Sequence, residues 1–245
     1  MDSKLILCIF CAASASSQIF TPILTRHPSS LPIVYDAVST SGVFHATTGS
    51  WSHTSTSSAN SFMMVFVTGD SVSSDASCTH TTGVTYNSVA MTPYVAYPGV
   101  AANRCVEVYY LASPSSGSHS VTITATAGQA GNGYGGMAVT YSGVAQSSTM
   151  DGNNTGDASS VTSLTLSEVV GTTGAWQVYG GLNSVGANSA GAATTVRTGN
   201  GVFASSWIAD SNSALTTGSH SLQVLAGGTA NFSGVIVSIK PAVIP

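Results

Sequence analysis

Charge is what this chain has least of: five Lys and Arg side chains and nine Asp and Glu side chains in 245 residues, 6% in all. The basic residues Lys4, Arg26, Arg104, Arg197 and Lys240 are scattered, so there is no positive patch of the kind that binds a phosphate backbone, and nucleic acid is excluded as a partner. Glutamate occurs only at Glu107 and Glu168, which leaves no evident carboxylate pair for glycoside hydrolysis. No G-x-S-x-G elbow exists, and no Ser/His/Asp set can be singled out among so many serines. The six histidines, His27, His45, His53, His80, His119 and His220, show neither helical i, i+4 pairing nor the two-residue spacing that shares a strand face. No apolar run approaches the roughly 20 residues that cross a bilayer as a helix. After residue 33 no segment of useful length carries a helical period.

What is present is the β pattern. Ser, Thr, Gly, Ala and Val fill short runs in which apolar residues take every second place, as in strands with one buried and one wetted face. With 43% hydrophobic residues and a mean hydropathy of +0.29, burial is ample and charge-driven disorder is excluded. Strands are predicted at 33–38, 49–54, 61–68, 84–86 with 89–92, 105–112, 118–126 and 137–142. A second set is predicted at 161–166, 176–182, 193–198, 202–208, 219–225 and 232–240. Breaks near every tenth residue carry Gly, Ser, Asn or Pro, which predicts an all-β chain: a single antiparallel β-sandwich of jelly-roll or Greek-key type. Gly117-Ser118-His119-Ser120-Val121 and Gly218-Ser219-His220-Ser221-Leu222 lie 101 residues apart and read as equivalent strand beginnings in two halves.

Residues 1–32 read as an N-terminal extension ahead of a β domain at 33–245, because Pro22, Pro28 and Pro32 favour an extended linker. The apolar stretch Leu5–Ala13 followed by Ser14-Ala15-Ser16 is read first as an uncleaved anchor for a partner and second as a secretion signal. Cys8 and Cys11, in an apolar run with no second ligand pair, read as buried thiols. Cys78 falls in an expected loop and Cys105 at an expected strand start, and whether they pair is a geometric question that the sequence leaves open.

Gly83–Thr92, Glu107–Pro114, Gly117–Ile123, Ala138–Gln146 and Val235–Pro241 together resemble a β-sandwich domain family of tailed-phage structural proteins and bacterial secreted or surface proteins. Trp51-Ser52-His53-Thr54 fits its opening. The resemblance spans residues 33–241 and implies fold and setting, with no activity and no catalytic residues to carry over. One copy of the domain behind a short extension favours a particle component over an accessory module of an enzyme. The expectation is therefore a virion protein, in tail tip, tail fibre or capsid decoration, that adheres to a host-surface glycan. A secreted bacterial adhesin or carbohydrate-binding module is the alternative, and a hydrolase ranks last.

Several residues carry the remaining expectations. Tyr94, Tyr97 and Tyr134, near loop ends, are the expected glycan or partner contacts, since tyrosine offers rigid amphipathic surface. Asp151, Asn153 and Asp157, in an expected glycine-broken loop, are a calcium candidate against a plain Asx turn. Gly131–Gly136 fits G-x-G-x-x-G, and Gly199–Ala204 its alanine-ended form, but both run into predicted strands rather than helices, so no cofactor is expected. A surface of hydroxyls loses little side-chain entropy on burial, which favours a homo-oligomer, a trimer first, with other virion proteins held through the extension.

Overall fold

The computed structural model describes residues 29–56, 59–70, 78, 81–99, 104–199, 201–202 and 205–244. The expected anchor, Cys8, Cys11, His27 and His80 lie outside the described residues. The chain is nearly all β, with antiparallel sheets. No described helix is long and apolar enough to cross a membrane.

The first half supplies β1 (Val34–Thr40), β2 (Thr48–Ser55), β3 (Phe62–Asp70), β4 (Thr81–Tyr86), β5 (Val89–Ala90), β6 (Thr92–Gly99), β7 (Arg104–Ala112), β8 (Gly117–Ala125) and β9 (Tyr134–Ser142). A short helix α1 (Ala127–Asn132) joins the last two, with Thr126 as its cap. The second half supplies β10 (Met150–Val170), β11 (Trp176–Asn183), β12 (Ser189–Ala190), β13 (Thr195–Thr198), β14 (Ser206–Asp210) and β15 (Gly218–Ile239).

The second half repeats the strand order of the first, with no counterpart of β5 or α1 among the described residues. One sheet runs β1-β9-β3-β7-β6 and another β10-β15-β11-β14-β13, while β2-β8-β4-β5 has its counterpart in the far ends of β10 and β15 with β12 alongside. What the first half divides into β1 plus β2, and β8 plus β9, the second half runs through as single strands of 21 and 22 residues. The two Gly-Ser-His segments hold equivalent places: His119 pairs His53 and His220 pairs Glu168, and each imidazole Nε2 donates to a carbonyl just upstream, Ser116 at 2.8 Å and Thr216 at 2.8 Å. The carboxylates repeat as well. Asp36 accepts from the backbone N–H of Thr56 at 3.0 Å and from its hydroxyl, and Asp151 accepts from the N–H and hydroxyl of Thr172 at 2.7 and 3.0 Å.

Strand alternation sorts the side chains into three apolar layers. Phe62, Met64, Phe66, Met137, Val139 and Tyr141 from the first half meet Trp176, Val178, Ile208, Val235 and Val237 from the second. The opposite face of β3, with Met63, Val65 and Val67, packs on Val84, Tyr86, Val121 and Ile123. The matching layer of the second half holds Leu164, Leu166, Tyr179, Trp207, Leu222 and Phe232. Between the two halves Asp210, fully buried, accepts from Tyr141 at 2.9 Å and from Arg197 at 2.7 and 2.9 Å, with the guanidinium 4.1 Å above the Tyr35 ring.

One expectation changes here. The Asp151–Asp157 stretch is the start of β10, paired with β15, and no loop. Gly131–Gly136 runs helix, glycine, strand, the reverse of the order that points a helix N-terminus at a phosphate. The alanine-ended match includes residues outside those described.

Candidate functional site

β6 closes one edge of the five-stranded sheet, and the register shift between Pro93 and Val95 leaves Tyr94 out of the β7 ladder, against Tyr110 of β7 and Asn153 of β10. There Tyr94 and Tyr110 meet edge to face, with centroids 6.3 Å apart and planes at 84°, and Tyr110 rests on Phe62 at 5.7 Å. The connection from β9 to β10 forms the opposite wall. Tyr94, Tyr110, Gln146, Ser147, Ser148, Thr149 and Met150 line a cleft of about 310 Å³. No lining residue is charged. Gln146 is locked by accepting from the Ser113 hydroxyl at 2.6 Å and donating to the carbonyls of Ser61 and Val144, so the wall is braced from behind, while Ser147 and Ser148 remain exposed. Asn153 donates to the Tyr94 hydroxyl at 3.2 Å and fixes its orientation.

Farther along β6, Tyr97 donates to Asp157, and burial together with that carboxylate pushes its phenol up to about 12. Tyr94 and Tyr97 are therefore the side chains that two of the three calcium candidates engage. Asp151 is committed elsewhere, to the N–H groups of Gly171 and Thr172 and to Lys240 at 3.8 Å. The three candidates are strung along a strand, and the described residues contain no group of three or more His, Cys, Asp or Glu that could hold a metal ion.

Tyr134 is placed differently from its expected loop position. It opens β9, is fully buried, and donates its hydroxyl to the Ala46 carbonyl at 2.8 Å, so it packs against Phe44 and supplies no surface. Of the adjacent pair Tyr109-Tyr110, Tyr110 lines this cleft and Tyr109 packs on the other side of the strand, the division that neighbouring positions in a strand require.

A second cleft of about 300 Å³ lies across β6, lined by Pro93, Tyr94, Val95, Ala96, Glu107, Val108 and Tyr109. Glu107 is buried there and accepts from Thr81 at 2.8 Å and Tyr109 at 2.9 Å. Burial, with Glu107 beside it, pushes the Tyr109 phenol far up. Glu168 lies in the other half, where it accepts from the Ser238 hydroxyl, and burial raises its carboxyl. The two glutamates thus serve separate hydrogen-bond networks.

Cys78 and Cys105 form a disulfide, with Cα atoms 5.5 Å apart, that ties the approach to β4 to the start of β7. In comparison with known proteins, no family model, no curated protein and no solved structure matches this chain.

Proposed function

We propose that the protein is a non-enzymatic adhesive component of a phage particle exterior, in tail tip, tail fibre or capsid decoration, and that it holds a neutral host-surface glycan in the Tyr94–Tyr110 cleft. The observation that carries this reading is the cleft's composition: two orthogonal tyrosines and Met150 form the floor, exposed hydroxyls the rim, with no charge among its lining residues. Aromatic faces stack on sugar rings, and short hydroxyls bond sugar hydroxyls at little entropic cost. The two large sheets enclosing an apolar layer support the sandwich form of the fold. The charge-poor surface supports a homo-oligomer, a trimer first, which light scattering tests: a monomer at high concentration would contradict it.

One observation favours a second setting for the same activity. The Cys78–Cys105 disulfide belongs to an oxidising compartment, which suits a secreted bacterial adhesin or carbohydrate-binding module better than a protein assembled in the cytosol. A hydrolase has least support, since Glu107 and Glu168 sit in different halves, each with its own partners.

An array of neutral oligosaccharides tests the reading. Tyr94→Ala should weaken the best binder at least about tenfold while leaving the fold intact, because Tyr94 is only half-buried. Tyr134→Ala should instead cost about 3–5 kcal/mol of stability, as a core truncation. Unchanged binding by Tyr94→Ala would contradict the proposal, as would glycan turnover that disappears in Glu107→Gln.

A further inference from the structure

The two halves differ at one place that the repetition makes conspicuous. In the first half the Tyr86 ring, at the end of β4, is fully buried between two imidazoles: His119 edge-on at 5.6 Å and His53 at 6.2 Å. Its hydroxyl donates to the carbonyls of Ser115 and Gly117, in the turn that leads into β8. Tyr86 pairs with Val121 and packs in the same layer as Met63.

The ladder fixes the corresponding positions of the second half. His220 stands for His119 and Leu222 for Val121, Gln177 takes the place of Met63, and Glu168 that of His53. The counterpart of β4 is β12, in which Ala190 pairs with Val224 as Val84 pairs with Ile123. β12 ends at Ala190, and residues 192 and 193 form a turn, so β12 carries no residue at the place that Tyr86 holds in β4. No ring fills the seat, and a cleft of about 150 Å³ opens there, lined by Gln177, Ala193, Ser211, Leu215, His220 and Leu222 among others. Gln177 is fully buried. Its Nε2 donates to the carbonyls of Glu168 at 3.2 Å and His220 at 3.4 Å, and its Oε1 is buried with no hydrogen-bond partner. An unpaired buried acceptor is costly, and a donor brought by a ligand removes that cost.

We propose that this cleft is a binding seat for a phenol, an aromatic ring with one hydroxyl donor, which takes the place that Tyr86 fills in the first half. The volume is that which accepts a single six-membered aromatic ring. His220 offers the edge-to-face partner that His119 gives Tyr86, Leu215 and Leu222 supply apolar walls, and the phenol hydroxyl donates to Gln177 Oε1. This seat is separate from the Tyr94–Tyr110 cleft, and its test does not depend on glycan binding.

Titration of the whole protein with p-cresol, followed by NMR, tests the proposal. Saturable shifts should appear at the Gln177 side-chain amide, His220 and Leu222, with a dissociation constant on the order of 1 mM. Toluene, without the donor, and Gln177→Met, which installs the first half's residue, should each weaken binding about tenfold. Ala193→Tyr, which places a ring on a residue lining the cleft, should refill the seat and abolish the shifts while keeping the fold. N-acetyltyrosinamide separates two sources of the same ring: its binding indicates a tyrosyl side chain presented by another chain, and binding of p-cresol alone a free small phenol. Absence of saturable shifts at these residues, or Ala193→Tyr that binds p-cresol as well as the wild type, would overturn the proposal.

Discussion

His53 shows how a single buried polar residue sets a pH response. The Thr140 hydroxyl donates to Asp36 at 2.8 Å, so its oxygen accepts from His53 Nε2–H at 3.3 Å. Ser39, which accepts from the Trp51 indole at 3.0 Å, donates to Nδ1 at 2.8 Å. The ring is held neutral, and burial pulls its pKa down to about 4 although Asp36 opposes the shift. The unfolded chain takes up this proton below about pH 6.5, whereas the folded chain refuses it until about pH 4. The contribution is therefore complete above pH 6.5 and is lost as the pH falls, by about 2.5 kcal/mol at pH 4.5. Glu168 acts with the opposite sign, since a raised carboxyl pKa favours the folded state as the pH falls toward it. Denaturant unfolding at pH 7 and 4.5 separates the two: wild type should lose about 2.5 kcal/mol more than His53→Gln over that interval. Equal losses would show that His53 is not buried neutral.

Among the elements, the disulfide joins two sheets where the hydrogen-bond ladders do not. It closes a span of 27 residues, and its reduction should cost about 3 kcal/mol, read as a lower denaturation midpoint with reductant. An unmoved midpoint would show that the bridge is absent in solution. Most strands were legible from alternation, and β3, β7 and β11 lie within two residues of their expected bounds. β6 was hidden by Pro93 and Pro98, which break a central strand but are tolerated on an edge, where no neighbour needs the missing N–H. The first part of β10 was hidden by its Asx and Gly content. It extends because Gly152 leaves room for the Glu168 carboxylate and Gly156 for Leu166, while Asp151, Asn153 and Asp157 each find a partner of their own. α1 is too short to show a period. Tyr94 was visible as a candidate, but its cleft was not, because the opposite wall comes from residues 146–150, a separation only the β9–β10 connection brings together.

For the whole molecule, the repeated halves meet through an apolar layer, and a buried ion pair of the second half reaches across it to Tyr141 and Tyr35 of the first. Arg197 and Asp210 are 13% and 0% exposed, so their bond is not discounted by solvent as a surface pair would be. Arg197→Leu leaves the carboxylate buried with Tyr141 as its remaining side-chain partner and should cost about 3–5 kcal/mol, measured by urea unfolding. A loss below about 1 kcal/mol would mean that the Arg197–Asp210 pair contributes no more than a surface pair does.

The same scale carries the functional reading. The cleft proposed to hold a glycan lies at the edge of the first half, where β6 meets the start of β10, and in the second half the corresponding edge carries the Arg197–Asp210–Tyr35 cluster. One glycan site per chain is expected. The most direct test is chemical-shift mapping with the neutral oligosaccharide that scores highest on an array. Shifts confined to Tyr94, Tyr110 and residues 146–150, saturating at one equivalent and lost in Tyr94→Ala, are the predicted result, whereas saturable shifts centred elsewhere, or no neutral glycan that binds at all, would contradict it.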